Sequence, residues 1–133
     1  MLVRDLMQRE VKTIYPDDAV NDAVVTLTDS HISALPVVDR SGHMVGVVSS
    51  TDILTSEAEA RDAVEREALF EQMMVRDIMT PRPLTVAPDA DVREAAQQML
   101  YGDVHRLFVT SENRVIGVIS TTDIVRAVAN GQV

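Results

Sequence analysis

The 133-residue chain contains no cysteine and no tryptophan, and only two phenylalanines and two tyrosines. The absence of cysteine excludes disulfides, thiol nucleophiles and thiolate zinc sites. Because aromatic residues are scarce while 46% of the residues are apolar, we expect an aliphatic core. No apolar run approaches the ~20 residues of a membrane span, and charged residues interrupt the first ten positions. These features favour a cytoplasmic protein without a membrane partner, forming one domain or two small halves that share a core.

Positive charge is also in short supply, since the formal net charge is −9. A surface of this sign repels nucleic acid, so no nucleic-acid partner is expected. The histidines, His31, His43 and His105, are scattered, and neither a glycine-rich phosphate loop nor a metal-ligand spacing accompanies them. We therefore expect no enzyme activity, no metal site and no required cofactor.

What the sequence does contain is an internal repeat. The segment "VRDLMQREVKTIYPDDAVNDAV" at 3–24 recurs as "VRDIMTPRPLTVAPDADVREAA" at 75–96, 72 positions later. The segment "GVVSSTDI" at 46–53 recurs as "GVISTTDI" at 117–124, 71 positions later, so one turn differs in length by a residue. The chain is a tandem duplication, with one copy in 1–54 and the other in 75–133.

Both copies predict the same secondary structure. A helical turn leads to a short strand that ends before proline, because the residue preceding proline disfavours helix. Apolar residues at spacings of three and four then predict an amphipathic helix, two β-branched runs around a turn predict a hairpin, and a second helix follows. This mixture of strands and helices predicts an α/β fold. The connection 55–74 lacks glycine and proline, which predicts that it continues the second helix.

The repeated phrase Ser-x-x-Asp, from Ser49 to Asp52 and from Ser120 to Asp123, has two interpretations. As a capping box, the serine and the aspartate satisfy the first N–H groups of the following helix. As a ligand site, the same helix start offers N–H groups and a positive dipole end to phosphate, while the carboxylate accepts hydrogen bonds from ribose hydroxyls. The local sequence leaves both interpretations open.

The ordered set "VRDxM", "PD", "LPVVD" or "LFVT", and "GV[VI]SxTDI" occurs twice across nearly the whole chain. It resembles a tandem pair of CBS domains, named for cystathionine β-synthase and called a Bateman module. The resemblance implies two β-α-β-β-α repeats packed about a pseudo-twofold axis, with 55–74 as a helical connection. It also implies a regulatory sensor that binds AMP, ADP or ATP between the repeats, forms a homodimer and signals in trans to an effector protein that the sequence does not identify. The alternative is a ligand-free module that dimerises and docks on a partner.

In this family each cleft is expected to combine the Ser-x-x-Asp phrase of one repeat with the first two strands of the other. The first cleft would comprise Ser49, Thr51, Asp52, Pro83, Leu84, Val104, His105 and Arg106. The second would comprise Ser120, Thr122, Asp123, Val11, Lys12, Ile32, Ser33 and Ala34. Where the first cleft has a His-Arg pair suited to phosphate, the second has Ser-Ala. We therefore expect the first cleft to be the primary nucleotide site.

Overall fold

A computed structural model describes the backbone of residues 1–133 and every side chain except those of Leu69 and Phe70. In chain order the elements are α1 (Val3–Leu6), α2 (Val20–Ser30), β1 (Ala34–Val38), β2 (Met44–Ser49), α3 (Ser50–Glu59), α4 (Ala63–Glu71), α5 (Val75–Ile78), β3 (Thr80–Pro81), β4 (Thr85–Val86), α6 (Val92–Gly102), β5 (Arg106–Ser111), β6 (Arg114–Ser120) and α7 (Thr121–Ala129). The predicted mixed α/β class is confirmed. None of the described helices combines the length and the hydropathy of a membrane span.

The chain divides into two compact units that exchange their N-terminal segments. The central unit is Lys12–Pro83, and the terminal unit is Met1–Val11 together with Leu84–Val133. The central unit therefore contains most of the first sequence repeat and the opening segment of the second. The terminal unit contains most of the second repeat and the opening segment of the first.

Each unit has one three-stranded sheet, and within both sheets the equivalent segments of the two repeats lie in the same order. In the central unit the order is β1-β2-β3 with antiparallel neighbours, and Ile14 adds a parallel bridge to Val37 in β1. In the terminal unit the order is β4-β5-β6, where β4 is parallel to β5, and Gln8 adds an antiparallel bridge to Val118 in β6. The exchanged segment thus lies on the same edge of the hairpin in both units.

A methionine and a glycine that recur in both repeats pack together at this edge. A Cβ placed on Gly117 would lie 2.6 Å from Sδ of Met7 and 2.9 Å from the carbonyl oxygen of Gln8. In the central unit a Cβ on Gly46 would lie 2.8 Å from Sδ of Met79. Glycine is required because the exchanged segment approaches the strand too closely for any side chain.

Each unit has its own core, and the exchanged segments supply part of it. The terminal core comprises Val3, Met7, Val86, Ala95, Met99, Leu107, Val109 and Ile119, and the central core comprises Ile14, Ala23, Leu27, Leu35, Val37, Val48 and Val75. The expected aliphatic core is confirmed. Val3 and Val75 are both fully buried in the unit built mainly from the other repeat. Full burial of a valine contributes about 1.5–3 kcal/mol, so each exchanged segment is anchored by its apolar side chains.

The prediction that 55–74 continues the second helix is wrong at 60–62, where the helix breaks, and at 72–74, which follow the end of α4. Helix α3 ends at Glu59, Ala60 is extended at φ −67° and ψ 128°, and α4 begins at Ala63. The break occurs because Asp62 caps α4, accepting a hydrogen bond of 2.9 Å from the N–H of Glu65. An aspartate cap starts a new helix without any glycine or proline before it.

Candidate functional site

The turn from β2 to α3 contains a complete capping box. The N–H and the hydroxyl of Ser49 donate to Oδ2 of Asp52 at 2.8 and 2.9 Å, and the N–H of Asp52 donates to Oγ of Ser49 at 3.1 Å. The N–H of Ser50 donates to the carbonyl of Ser33 at 2.9 Å. These bonds leave the amide of the exposed Thr51 as the donor of the first turn with which a ligand can bond.

The turn from β6 to α7 repeats this arrangement. The N–H of Ser120 donates to Oδ2 of Asp123 at 2.9 Å, and the N–H of Asp123 donates to Oγ of Ser120 at 3.1 Å. The N–H of Thr121 donates to the carbonyl of His105 at 2.9 Å, which leaves the amide of the exposed Thr122. The capping interpretation of Ser-x-x-Asp is therefore confirmed in both repeats, and the cap does not use the amide of Thr51 or of Thr122.

The two capping carboxylates differ in their surroundings. Asp52 is partly exposed, and its Oδ1 accepts a hydrogen bond of 3.1 Å from the hydroxyl of Thr80. Asp123 is only 7% exposed, and its Oδ1 lies 3.5 Å from Nε2 of Gln8 and 3.7 Å from Nη1 of Arg126. A ligand hydroxyl therefore has easier access to Asp52 than to Asp123.

The predicted site residues fall into two groups. Those in the central unit are Ser49, Thr51, Asp52, Pro83, Lys12, Ile32, Ser33 and Ala34. Those in the terminal unit are Leu84, Val104, His105, Arg106, Val11, Ser120, Thr122 and Asp123. Within each unit the hairpin places the start of its first strand, β1 or β5, beside the Ser-x-x-Asp turn. Ala34 pairs with Ser49, and Arg106 pairs with Ser120. Each predicted cleft draws on both units, and its assembly stays a prediction.

The cationic pair lies beside the second Ser-x-x-Asp turn. His105 is exposed and its carbonyl accepts from Thr121, while Arg106 is half-buried as the first residue of β5. A histidine and an arginine next to a helix start suit an anionic group. Their predicted contribution to the cleft of Asp52 is a separate matter and stays a prediction.

A comparison of sequences identifies the same two repeats. The family model of the CBS domain matches residues 3–59 and 75–130. The chain belongs to the CBS domain family. This CBS pair is similar to the uncharacterized protein MJ1426 of Methanocaldococcus jannaschii, with 26% identity covering 96% of this chain and 90% of that protein. It spans only between 22% and 60% of the length of four other curated relatives.

Solved CBS pairs have the same fold. The crystal structure of CBSX2, a protein of Arabidopsis thaliana, in complex with AMP has a TM-score of 0.84 and 29% identity, and the match covers 99% of this chain and 98% of that chain. The CBS domain pair of MJ0100 in complex with 5′-methylthioadenosine and S-adenosyl-L-methionine has a TM-score of 0.82 and 25% identity, covering 98% of both chains. The predicted CBS pair is thus confirmed in sequence and in fold.

One groove of this CBS pair reaches a Ser-x-x-Asp turn. It lies in the terminal unit, has a volume of about 260 Å³, and extends from Met99, Val104 and Ile124 to His105 and Thr121. Its wall is mainly apolar, with polar groups at the end near the start of α7. This combination suits a ligand with an aromatic ring and a polar substituent.

A second groove, of about 380 Å³, lies between α3, α4 and α5 of the central unit. The carboxylates of Glu59, Glu65 and Asp77 line it. Anionic walls repel phosphate, so this groove does not suit a nucleotide. No group of three or more histidine, aspartate and glutamate side chains among the described residues is placed to hold a metal ion.

Sequence reasoning missed two residues that the CBS fold places at the turns. Thr80 donates to Asp52, and Thr121 lies in the groove beside His105. Thr121 could have been identified from the sequence, because it lies inside the repeated Ser-x-x-Asp phrase. Thr80 directly follows the methionine of "VRDIM", but a long-range contact of this kind leaves no periodic signal in one sequence.

Proposed function

We propose that this CBS pair is a regulatory module that binds AMP, ADP or ATP in the cytoplasm and signals in trans to a partner protein, without catalysing a reaction. The observation that carries the proposal is the doubled turn, in which one helix start combines an aspartate carboxylate with a backbone amide that the cap does not use. The solved relatives support it, because CBSX2 was crystallised with AMP and the pair of MJ0100 with two adenosine derivatives.

The chemistry of a nucleoside phosphate matches the turn at Asp52. Ser49 holds Oδ2 of the carboxylate with two hydrogen bonds, and the remaining acceptor capacity suits ribose hydroxyls. The amide and hydroxyl of Thr51 lie at the N-terminus of a ten-residue helix, where backbone donors and the helix dipole favour phosphate. The carboxylate thus suits the ribose of a nucleotide, and the donors of Thr51 suit its phosphate.

The proposal keeps the predicted clefts and the predicted division into repeats 1–54 and 75–133 joined by 55–74. In the first cleft, Pro83 and Leu84 would flank the adenine and His105 and Arg106 would meet phosphate. Because both repeats would contact the ligand, binding would favour one arrangement of the repeats over others, and a partner would respond to that arrangement. The more accessible carboxylate of Asp52 supports the first cleft as the primary site.

Thermal unfolding with AMP, ADP, ATP, S-adenosylmethionine and NADH tests the proposal. A ligand that binds only the folded state adds about 2.7 kcal/mol of stability at one hundred times its Kd. We expect adenine nucleotides to raise Tm in the wild type, and Asp52→Asn to abolish that rise. Asparagine keeps an acceptor oxygen for the cap while removing the charge, and Asp123→Asn is the matched control in the other repeat.

Two outcomes would contradict this assignment. If no ligand at millimolar concentration raises Tm, the ligand-free interaction module becomes the better description. If Asp123→Asn abolishes the rise while Asp52→Asn preserves it, the second site is the primary one. In both comparisons the ligand-induced shift is the quantity of interest, since weakening a cap lowers Tm by itself.

A specific surface favours the homodimer that belongs to this proposal. On α6 and α7 of the terminal unit, Leu100, Val125 and Val128 are 82%, 65% and 55% exposed, and Leu100 and Val125 also line the apolar groove. Exposed apolar side chains on neighbouring helices are typical of interaction surfaces, and twofold homodimers are the commonest assemblies. Sedimentation equilibrium should give a dimer for the wild type and a monomer for Leu100→Glu. A Leu100→Glu protein that stays dimeric would exclude this surface.

A further inference from the structure

The central unit joins the two repeats directly at the capping carboxylate of Asp52. Oδ2 of Asp52 is held by the N–H and the hydroxyl of Ser49, which belongs to the same repeat. Oδ1 accepts instead from the hydroxyl of Thr80, 28 residues away along the chain and in the second repeat. The two oxygens therefore have different roles, one in the helix cap and one toward the exchanged segment.

The position of Thr80 is fixed by backbone pairing. Thr80 and Pro81 form β3, in which Thr80 pairs with Val47 and Pro81 with Gly46 of β2. The segment packs closely against β2 at Gly46. The hydroxyl of Thr80 is therefore held near Asp52 by the pairing of β3 with β2. Thr80 is exposed, so a ligand can reach the pair.

The counterpart of this contact in the other unit has different chemistry. Gln8 occupies the position equivalent to Thr80, 72 residues earlier. Its amide nitrogen lies 3.5 Å from Oδ1 of the buried Asp123, which Arg126 also approaches at 3.7 Å. The amide of Gln8 donates to Oδ1 and the guanidinium of Arg126 forms an ion pair with it, so both compete with a ligand hydroxyl for the same oxygen. A threonine hydroxyl uses one acceptor position of Oδ1 and leaves the other.

We propose that Thr80 is a positioning residue of the nucleotide site, which holds Oδ1 of Asp52 so that the carboxylate accepts from the ribose 2′-hydroxyl and discriminates ribose from 2′-deoxyribose. The inference rests on the proposed function. A carboxylate anchored through both oxygens presents its remaining acceptor positions in one orientation, which favours the hydroxyl pattern of ribose. Without the anchor on Oδ1, the ligand must also order the carboxylate, which lowers affinity.

The test compares the affinities of AMP and 2′-deoxy-AMP by isothermal titration calorimetry. Thr80→Val keeps the branched shape but removes the hydroxyl, and Thr80→Ser restores the hydroxyl. Loss of one hydrogen bond to a charged group predicts that Thr80→Val weakens AMP about tenfold. Thr80→Ser should stay within about twofold of the wild type, and Thr80→Val should change 2′-deoxy-AMP by less than about twofold. Gln8→Leu, the matched change in the other unit, should leave AMP binding unaltered.

Several results would overturn the inference while leaving the proposed function intact. Equal weakening of AMP and 2′-deoxy-AMP by Thr80→Val would show a general structural role. Unchanged AMP affinity in Thr80→Val, together with loss of binding in Asp52→Asn, would show that Asp52 needs no anchor. Failure of Thr80→Ser to restore affinity would also count against the hydroxyl. If the wild type binds neither nucleotide, the proposed function fails and this inference falls with it.

Discussion

Replacement of Gly117 by alanine tests the close packing of the exchanged segment on the sheet. The new Cβ would lie 2.6 Å from Sδ of Met7 and 2.9 Å from the carbonyl oxygen of Gln8. The thioether can rotate away, but the carbonyl is held by the bridge in which Gln8 and Val118 exchange two backbone hydrogen bonds, of 2.8 and 2.9 Å. Losing both bonds, at about 1 kcal/mol each, gives an expected destabilisation of about 2 kcal/mol.

Urea unfolding followed by circular dichroism measures this cost, and Gly102→Ala is its control. A loss of about 2 kcal/mol moves the midpoint by about 1 M urea. A Cβ on Gly102 would lie 2.7 Å from Cδ1 of Leu84, a side chain that is 52% exposed and can move aside. Gly102→Ala should therefore stay within about 0.5 kcal/mol of the wild type. If both variants lose the same stability, the contact of the new Cβ with the carbonyl of Gln8 does not explain the destabilisation of Gly117→Ala.

Two further predictions concern the ends of helices. Ser49→Ala and Ser120→Ala should each cost about 1 kcal/mol in urea unfolding, because each removes the side-chain acceptor of a capping box; unchanged stability in both would contradict the capping role. His31 and Asp103 end α2 and α6 with left-handed φ angles of 54° and 52°. Glycine at either position should raise stability by about 0.5–1 kcal/mol, whereas alanine, which keeps the strain, should give no gain.

The features that sequence predicted correctly are local ones. Ser49 and Asp52 are three residues apart, so their capping box follows from helix geometry and needs no tertiary contact. The break at Ala60 was also within reach, because Asp62 and Glu65 have the same spacing and form a similar cap. The absence of glycine and proline was given too much weight there, since a polar cap is sufficient to begin a new helix.

The exchange of segments could not be predicted from the sequence, because the duplication gives each segment two equivalent packing partners. Met7 and Met79 are equivalent, as are Gly46 and Gly117, so one sequence fits packing within a repeat and packing between repeats equally well. The structure pairs Met7 with Gly117 and Met79 with Gly46. Periodicity identifies which residues face a core, but it does not identify which of two equivalent cores.

Because of this exchange, a ligand at the proposed site would contact residues of both repeats within one unit. Asp52 belongs to the first repeat and Thr80 to the second, yet they form one hydrogen bond within the central unit. In the proposed site, a ribose at Asp52 would therefore lie beside a segment that continues, through Pro83 and Leu84, into the terminal unit. The buried Val75 anchors the start of the same segment in the central core. The hydrogen bond between Asp52 and Thr80 thus joins the two sequence repeats inside one unit, which a duplicated fold without exchanged segments would not do.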